Sequence, residues 1–185
     1  MKKILIKIMT VLALIVVLFG EMATGKTEVA SNTANQDLIV INKHYNKLAY
    51  YHNGYLEMVA PVATGKTWDK TPVGFFKVVN KIKNRPYYTE KIPGGDLRNP
   101  LGKRWLGLNA NGTYGDTYGI HGNSNESSIG KYVSQGCIRM HNADVEKFYD
   151  KVQVGTPVII TYFYRSFEEL AKVYRYDFKG YNTKN

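Results

Sequence analysis

The chain has a single cysteine, Cys137. That excludes a disulfide framework within the chain and any zinc or iron–sulfur site built from several cysteines. Acidic residues are scarce beside basic ones. Fifteen Asp+Glu against 25 Lys+Arg give a formal net charge of +10. Such an excess points to an anionic setting, whether nucleic acid, acidic lipid or an anionic cell wall. No internal repeat is present. The longest apolar run, Ile8 to Phe19, is short against the ~20 residues of a spanning helix. What the chain does have is a core: 44% of its residues are hydrophobic, which excludes intrinsic disorder. Its 185 residues suit one domain with short extensions and are too few for two.

Lys2, Lys3 and Lys7 precede the apolar run, and small residues, Ala23-Thr24-Gly25, follow it. This is the layout of a secretory signal, with a retained anchor through residues 4–19 as the alternative to cleavage. We therefore read 1–25 as a signal peptide or N-terminal membrane anchor, and the polar stretch 26–36 as a linker. Export places the protein in the cell envelope, on the outer side of the cytoplasmic membrane. It removes nucleic acid as a partner and leaves an anionic wall as the counterpart of the basic surface.

The body begins at Asp37. Leu38–Ile41, Leu48–Tyr51, Tyr55–Val59, Phe75–Val79, Trp105–Leu108, Tyr118–His121 and Pro157–Phe163 read as short strands. Asn53-Gly54 between two of them is a hairpin signal, because a type I′ turn needs φ > 0 at both central residues. Residues 83–104 form a long irregular segment, which in a compact domain is functional or disordered. One helix is well signalled: Asn142 reads as its N-cap, Asp144 and Glu146 favour its positive end, and Val145, Phe148, Tyr149 and Val152 share one face. A short helix around Phe167–Tyr174 and a frayed polar tail follow. These elements predict a mainly β, β-rich α+β fold with two packed sheets, over a domain at 37–163 and a C-terminal extension at 164–185.

Cys137 stands in Ser134-Gln135-Gly136-Cys137-Ile138-Arg139-Met140, shortly before that helix. Sixteen residues earlier lies Tyr118-Gly119-Ile120-His121-Gly122-Asn123. Arg139 and a helix N-terminus both favour a thiolate. A Cys–His pair is the minimal nucleophile and base for acyl transfer, and backbone N–H groups of Gly136 and Cys137 offer an oxyanion hole. Two other classes fit the same residues less well. One is a non-catalytic envelope-binding module. The other is a zinc hydrolase on His121, Cys137 and His141, which lacks the carboxylate of the usual helical zinc motif.

The ordered series resembles the catalytic domain of the L,D-transpeptidases, the YkuD-type domain of the bacterial cell envelope. The resemblance runs through the Asn53-Gly54 hairpin, Pro61-Val62-Ala63-Thr64-Gly65-Lys66 and Thr71-Pro72-Val73-Gly74-Phe75-Phe76. It continues through the His121 and Cys137 motifs to Asn142-Ala143-Asp144 and Gly155-Thr156-Pro157-Val158. It covers about residues 37–162.

The resemblance implies an L,D-transpeptidase-like β-sandwich of mixed sheets with one short helix after the cysteine. It implies Cys137 as nucleophile and His121 as base, oriented by the backbone carbonyl of Gly122. The implied partner is the peptide stem of peptidoglycan, and no metal or organic cofactor is needed. Attack on the bond between the L-centre of the diamino acid and D-alanine releases D-alanine. A thioester is left, to be resolved by an acceptor amine (a 3→3 cross-link) or by water (carboxypeptidase activity). Carbapenems typically acylate such enzymes. Arg139, Ser134, Gln135, Asn123 and Tyr118 are candidate substrate-binding residues. Many relatives carry histidine where this chain has Gln135, so no second motif histidine is available here.

Overall fold

The computed structural model describes residues 37–182. Ten strands run as β1 (Leu38–Asn42), β2 (Lys47–His52), β3 (Tyr55–Gly65), β4 (Gly74–Lys83), β5 (Arg104–Leu108), β6 (Tyr118–His121), β7 (Tyr132–Ser134), β8 (Ile138–Met140), β9 (Pro157–Thr161) and β10 (Gly180–Tyr181). Two α-helices are α1 (Asn142–Lys151) and α2 (Phe167–Val173). The hairpin forms as expected: Asn53 and Gly54 have φ of 52° and 92° between antiparallel β2 and β3.

The expected β-sandwich is wrong. Eight strands form one ring in the order β3-β2-β1-β9-β4-β5-β6-β8, and β8 returns to β3. The closing pairs are Val62 with Met140 and Ala63 with Arg139. β3 makes closure possible by its eleven residues: its first part pairs with β2 and its last part with β8 and β7. The β1–β9 and β6–β8 pairs are parallel. Strand patterning could not distinguish these architectures, because alternation reports only that one face is inside. Closure is a long-range pairing.

The interior is filled by side chains, as an eight-stranded barrel requires. Ile39, Ile41, Leu48, Val62, Leu106, Ile120, Ile138 and Ile160 are among them, and Val145, Phe148, Tyr149 and Val152 of the α1 segment join the same cluster. That is the helical face expected from the sequence. The cap differs: His141 is the N-cap and Asn142 the first helical residue.

A second cluster lies on the other face of β1, β2 and β9, where Leu38, Val40, Ala49, Tyr51 and Ile159 pack with Leu170 and Ala171 of α2. Strand β1 is thus buried along its whole length, which is why it reads as an unbroken apolar run. The tail expected to fray instead adds β10 beside β3 as far as Tyr181. Residues 4–19 lie outside the described residues. Among those described, no helix is long and apolar enough to cross a membrane, so the anchoring alternative gains no support.

Candidate active site

Parallel pairing of β6 with β8 aligns Ile120 with Ile138 and His121 with Arg139. One step back along both strands, Cys137 faces Gly119. Gly119 and His121 lie two apart, so they share a face of β6. The strands thus bring together two residues sixteen apart in sequence. The Cys137 thiol donates to the Thr117 carbonyl at 3.4 Å, and the Gly119 N–H reaches toward its sulfur.

The turn carrying Cys137 is clamped from several sides. Ser134 Oγ accepts from Gly136 N–H at 3.0 Å and donates to Cys137 O at 2.6 Å. Gly136 has φ of 142°, and a Cβ there would stand 2.7 Å from Lys70 O, so only glycine fits. Thr71 Oγ1 donates to Gly136 O at 2.9 Å and accepts from Gly65 N–H at 2.8 Å. Buried Lys43 in turn donates through Nζ to the Trp68 and Thr71 carbonyls, at 2.5 Å each. Burial holds the Lys43 ammonium below its ordinary value.

The imidazole of His121 is buried, with Nδ1 2.7 Å from Gly122 O. Since a carbonyl only accepts, Nδ1 carries the hydrogen and Nε2 keeps its lone pair in the neutral ring. Trp105 stacks on the imidazole, with centroids 5.4 Å apart and planes at 15°. The indole N–H is fixed on Gly115 O at 2.9 Å, and the Arg85 guanidinium lies 4.1 Å over the indole ring.

Burial pushes His121 down to about 4, with the Gly122 and Leu101 carbonyls opposing and Arg139 and Arg85 adding to the fall. Burial pushes the Cys137 thiol up, against the Gly119 N–H and the same two arginines. At neutral pH the resting pair is therefore thiol and neutral imidazole. Such a pair can pass the proton from sulfur to nitrogen as the sulfur attacks.

The other expected site residues separate into groups. Arg139 is half-buried beside His121 in the β6–β8 register. Gln135 is exposed and Tyr118 half-buried. The Gly136 N–H is already engaged by Ser134 Oγ, so of the two expected oxyanion donors that one starts occupied. Asn123 is a buried clasp: its Nδ2 donates to Met140 O at 2.7 Å, and its backbone exchanges hydrogen bonds with the Asn142 side chain.

His141 pairs with Glu126, whose other oxygen accepts from Asn142 N–H at 3.1 Å and caps α1. Among the described residues no three His, Cys, Asp or Glu side chains cluster to hold a metal ion. Sequence reasoning missed Arg85, Trp105, Thr71 and Lys43. The length of segment 83–104 hinted that Arg85 lay in functional chain, but no spacing tied it to Cys137.

The chain is similar to known proteins over most of the described residues. The YkuD family model, described as the L,D-transpeptidase catalytic domain, matches residues 36–160. YqjB of Bacillus subtilis strain 168, which bears an L,D-transpeptidase name, is 52% identical over 134 residues, covering 72% of this chain and 76% of its own. The L,D-transpeptidase from Mycobacterium smegmatis has the same fold at a TM-score of 0.51 and 25% identity, over 68% of this chain and 58% of that one. L,D-transpeptidase 3 from Mycobacterium tuberculosis, solved in complex with a faropenem-derived adduct, aligns at a TM-score of 0.52 and 21% identity, over 69% of this chain and 60% of that one.

The chain belongs to the YkuD-type L,D-transpeptidase family. Its function is that of a cysteine-dependent L,D-transpeptidase acting on peptidoglycan, which is work of the cell envelope.

Proposed function

We propose that Cys137 is the nucleophile and His121 the general base of an acyl transfer on peptidoglycan stem peptides. As Sγ attacks the carbonyl at the L-centre of the diamino acid, its proton passes to His121 Nε2. The carbonyl oxygen becomes an oxyanion facing the Cys137 N–H, joined by the Gly136 N–H if substrate draws it from Ser134. Collapse breaks the C–N bond, the imidazolium proton goes to the departing nitrogen of D-alanine, and a thioester remains. An acceptor amine then attacks, gives its proton to His121, forms the new amide and frees the thiol. The bond at Gly122 holds the imidazolium in place during both steps.

We assign residues 1–25 to export, 26–36 to a linker, 37–163 to catalysis and 164–185 to a C-terminal extension. The protein then acts on the outer side of the cytoplasmic membrane.

The observation supporting the mechanism is the Nδ1 contact to Gly122 O, which leaves Nε2 basic on the strand paired to that of the cysteine. The test is turnover of a tetrapeptide stem, reading D-alanine release and the resulting dimer or tripeptide. His121→Ala should slow release by roughly 10²–10⁴-fold. An unchanged rate would remove His121 from the mechanism.

A further inference from the structure

Two guanidinium groups flank the reacting pair, and among the described residues neither is in a salt bridge. The ion pairs of this region are elsewhere: Asp96 with Arg98, and Glu126 with His141. Arg139 is on β8 beside His121. Arg85 comes from segment 83–104. Its NH2 donates to Asp116 O at 2.9 Å, while the Cys137 thiol donates to the adjacent carbonyl, Thr117 O. The guanidinium and the sulfur are thus anchored on successive carbonyls of one segment. The guanidinium also lies over Trp105, the ring that stacks on His121. Its charge is felt by both Cys137 and His121. Among the described residues, one of its five donors, NH2, meets an acceptor. A half-buried guanidinium with donors to spare, held beside a nucleophile and its base, is a site for a carboxylate.

The donor stem brings such a group to this spot. From the scissile carbonyl carbon to the carboxylate carbon of the departing residue there are three bonds, C–N, N–Cα and Cα–C, so the two carbons stand within about 4 Å of each other. The departing residue must also lie on the His121 side, since its nitrogen takes the proton held there. A carboxylate at the end of the diamino acid side chain is several more bonds away. We propose that Arg85 binds the terminal carboxylate of the donor stem, that of the leaving D-alanine. This rests on the mechanism proposed above. It makes Arg85 a gauge of stem length: it favours stems with one residue beyond the scissile bond, over longer stems whose carboxylate falls elsewhere.

The experiment uses the full chain and two synthetic donors, a tetrapeptide stem ending in D-alanine and the same stem ending in D-alaninamide. The readout is the ratio of kcat/KM for acid over amide, in the parent, Arg85→Gln, Arg85→Lys and Arg139→Gln. The parent should prefer the acid, and Arg85→Gln should lower the ratio about 10- to 100-fold, the size of a lost charge-assisted hydrogen bond. Arg85→Lys keeps the charge without the planar fork and should fall between, so a folding defect in Arg85→Gln would not remove the test. A merely structural or electrostatic role for Arg85 lowers both rates and leaves the ratio alone, which overturns the proposal. Collapse of the ratio in Arg139→Gln, with Arg85→Gln at the parental value, overturns it in favour of Arg139. A parent that turns over neither donor and forms no thioester at Cys137 overturns the proposed mechanism itself, and this inference with it.

Discussion

The two sides of the barrel wall are built by different means. Around Cys137 the chain is held by polar clamps: Ser134 and Thr71 on the turn, Lys43 beneath Thr71, and Gly122 O on His121. On the outer face of β1, β2 and β9 the contacts are apolar, with Leu170 and Ala171 of α2 sealed against Leu38, Val40 and Tyr51. Polar clamps are directional and fix a thiol turn in one geometry, at a net gain of only about 1 kcal/mol per hydrogen bond. Apolar burial is non-directional and contributes more per side chain. The α2 face therefore supplies stability, and the clamped turn supplies position. The family match ends at residue 160, yet the barrel's outer face is completed by residues beyond it.

The largest effect expected from breaking this division is His121→Ala, already given as a loss of roughly 10²–10⁴-fold in D-alanine release. The mirror-image change is Leu170→Ala. Leu170 is fully buried, and its truncation should cost about 2–5 kcal/mol, read from urea unfolding. The fraction still folded should release D-alanine at the parental rate. A rate that fell along with stability would show the two faces to be coupled.

A pH titration sharpens the same contrast. The His121 value of about 4 in the folded state lies below the ~6.5 of an unfolded chain. The unfolded state therefore binds the proton first as pH falls. The stabilisation from neutral His121 is present above ~6.5 and is lost as pH falls through about 4, up to about 3 kcal/mol. Unfolding midpoints at pH 7 and 4.5 should diverge for the parent and converge for His121→Gln. Equal acid sensitivity in both would place the titrating group elsewhere.

The smallest effect concerns the start of α2. There Ser166 Oγ accepts from Glu169 N–H at 3.2 Å, and Glu169 returns a bond to Ser166 N–H at 2.8 Å. Ser166→Ala should cost about 0.5–2 kcal/mol, again without altering acylation in the folded protein.

Local chemistry made part of this legible from the sequence. Asn53-Gly54 announced its hairpin because few residues accept two left-handed positions. Val145, Phe148, Tyr149 and Val152 announced α1 through their period. The Cys137 and His121 motifs stood out in the sequence, and the β6–β8 register places them on adjacent chain segments. What was hidden depended on distant pairing. Closure of the ring rests on Val62 meeting Met140 and Ala63 meeting Arg139, contacts between segments nearly eighty residues apart that no local pattern encodes. Asn142 read as a cap from its type alone, but its side chain serves Asn123 while Glu126, from a separate loop, caps the helix. The tail after Tyr174 read as frayed because it is short and polar. Tyr176 and Phe178 nonetheless pack on the outer cluster, and β10 pairs with β3. Arg85 was invisible as a site residue because only the fold lays it over Trp105.

The proposed mechanism needs one acylable thiol, Cys137, beside one buried imidazole, His121. The measurement that meets it most directly is intact-protein mass spectrometry after incubation with a carbapenem, with the parent and Cys137→Ala side by side. The account predicts a single covalent adduct on the parent and none on Cys137→Ala, with both proteins folded. An adduct that persists in Cys137→Ala would contradict it, as would a folded, reduced parent that takes no adduct and also forms no thioester with a tetrapeptide stem.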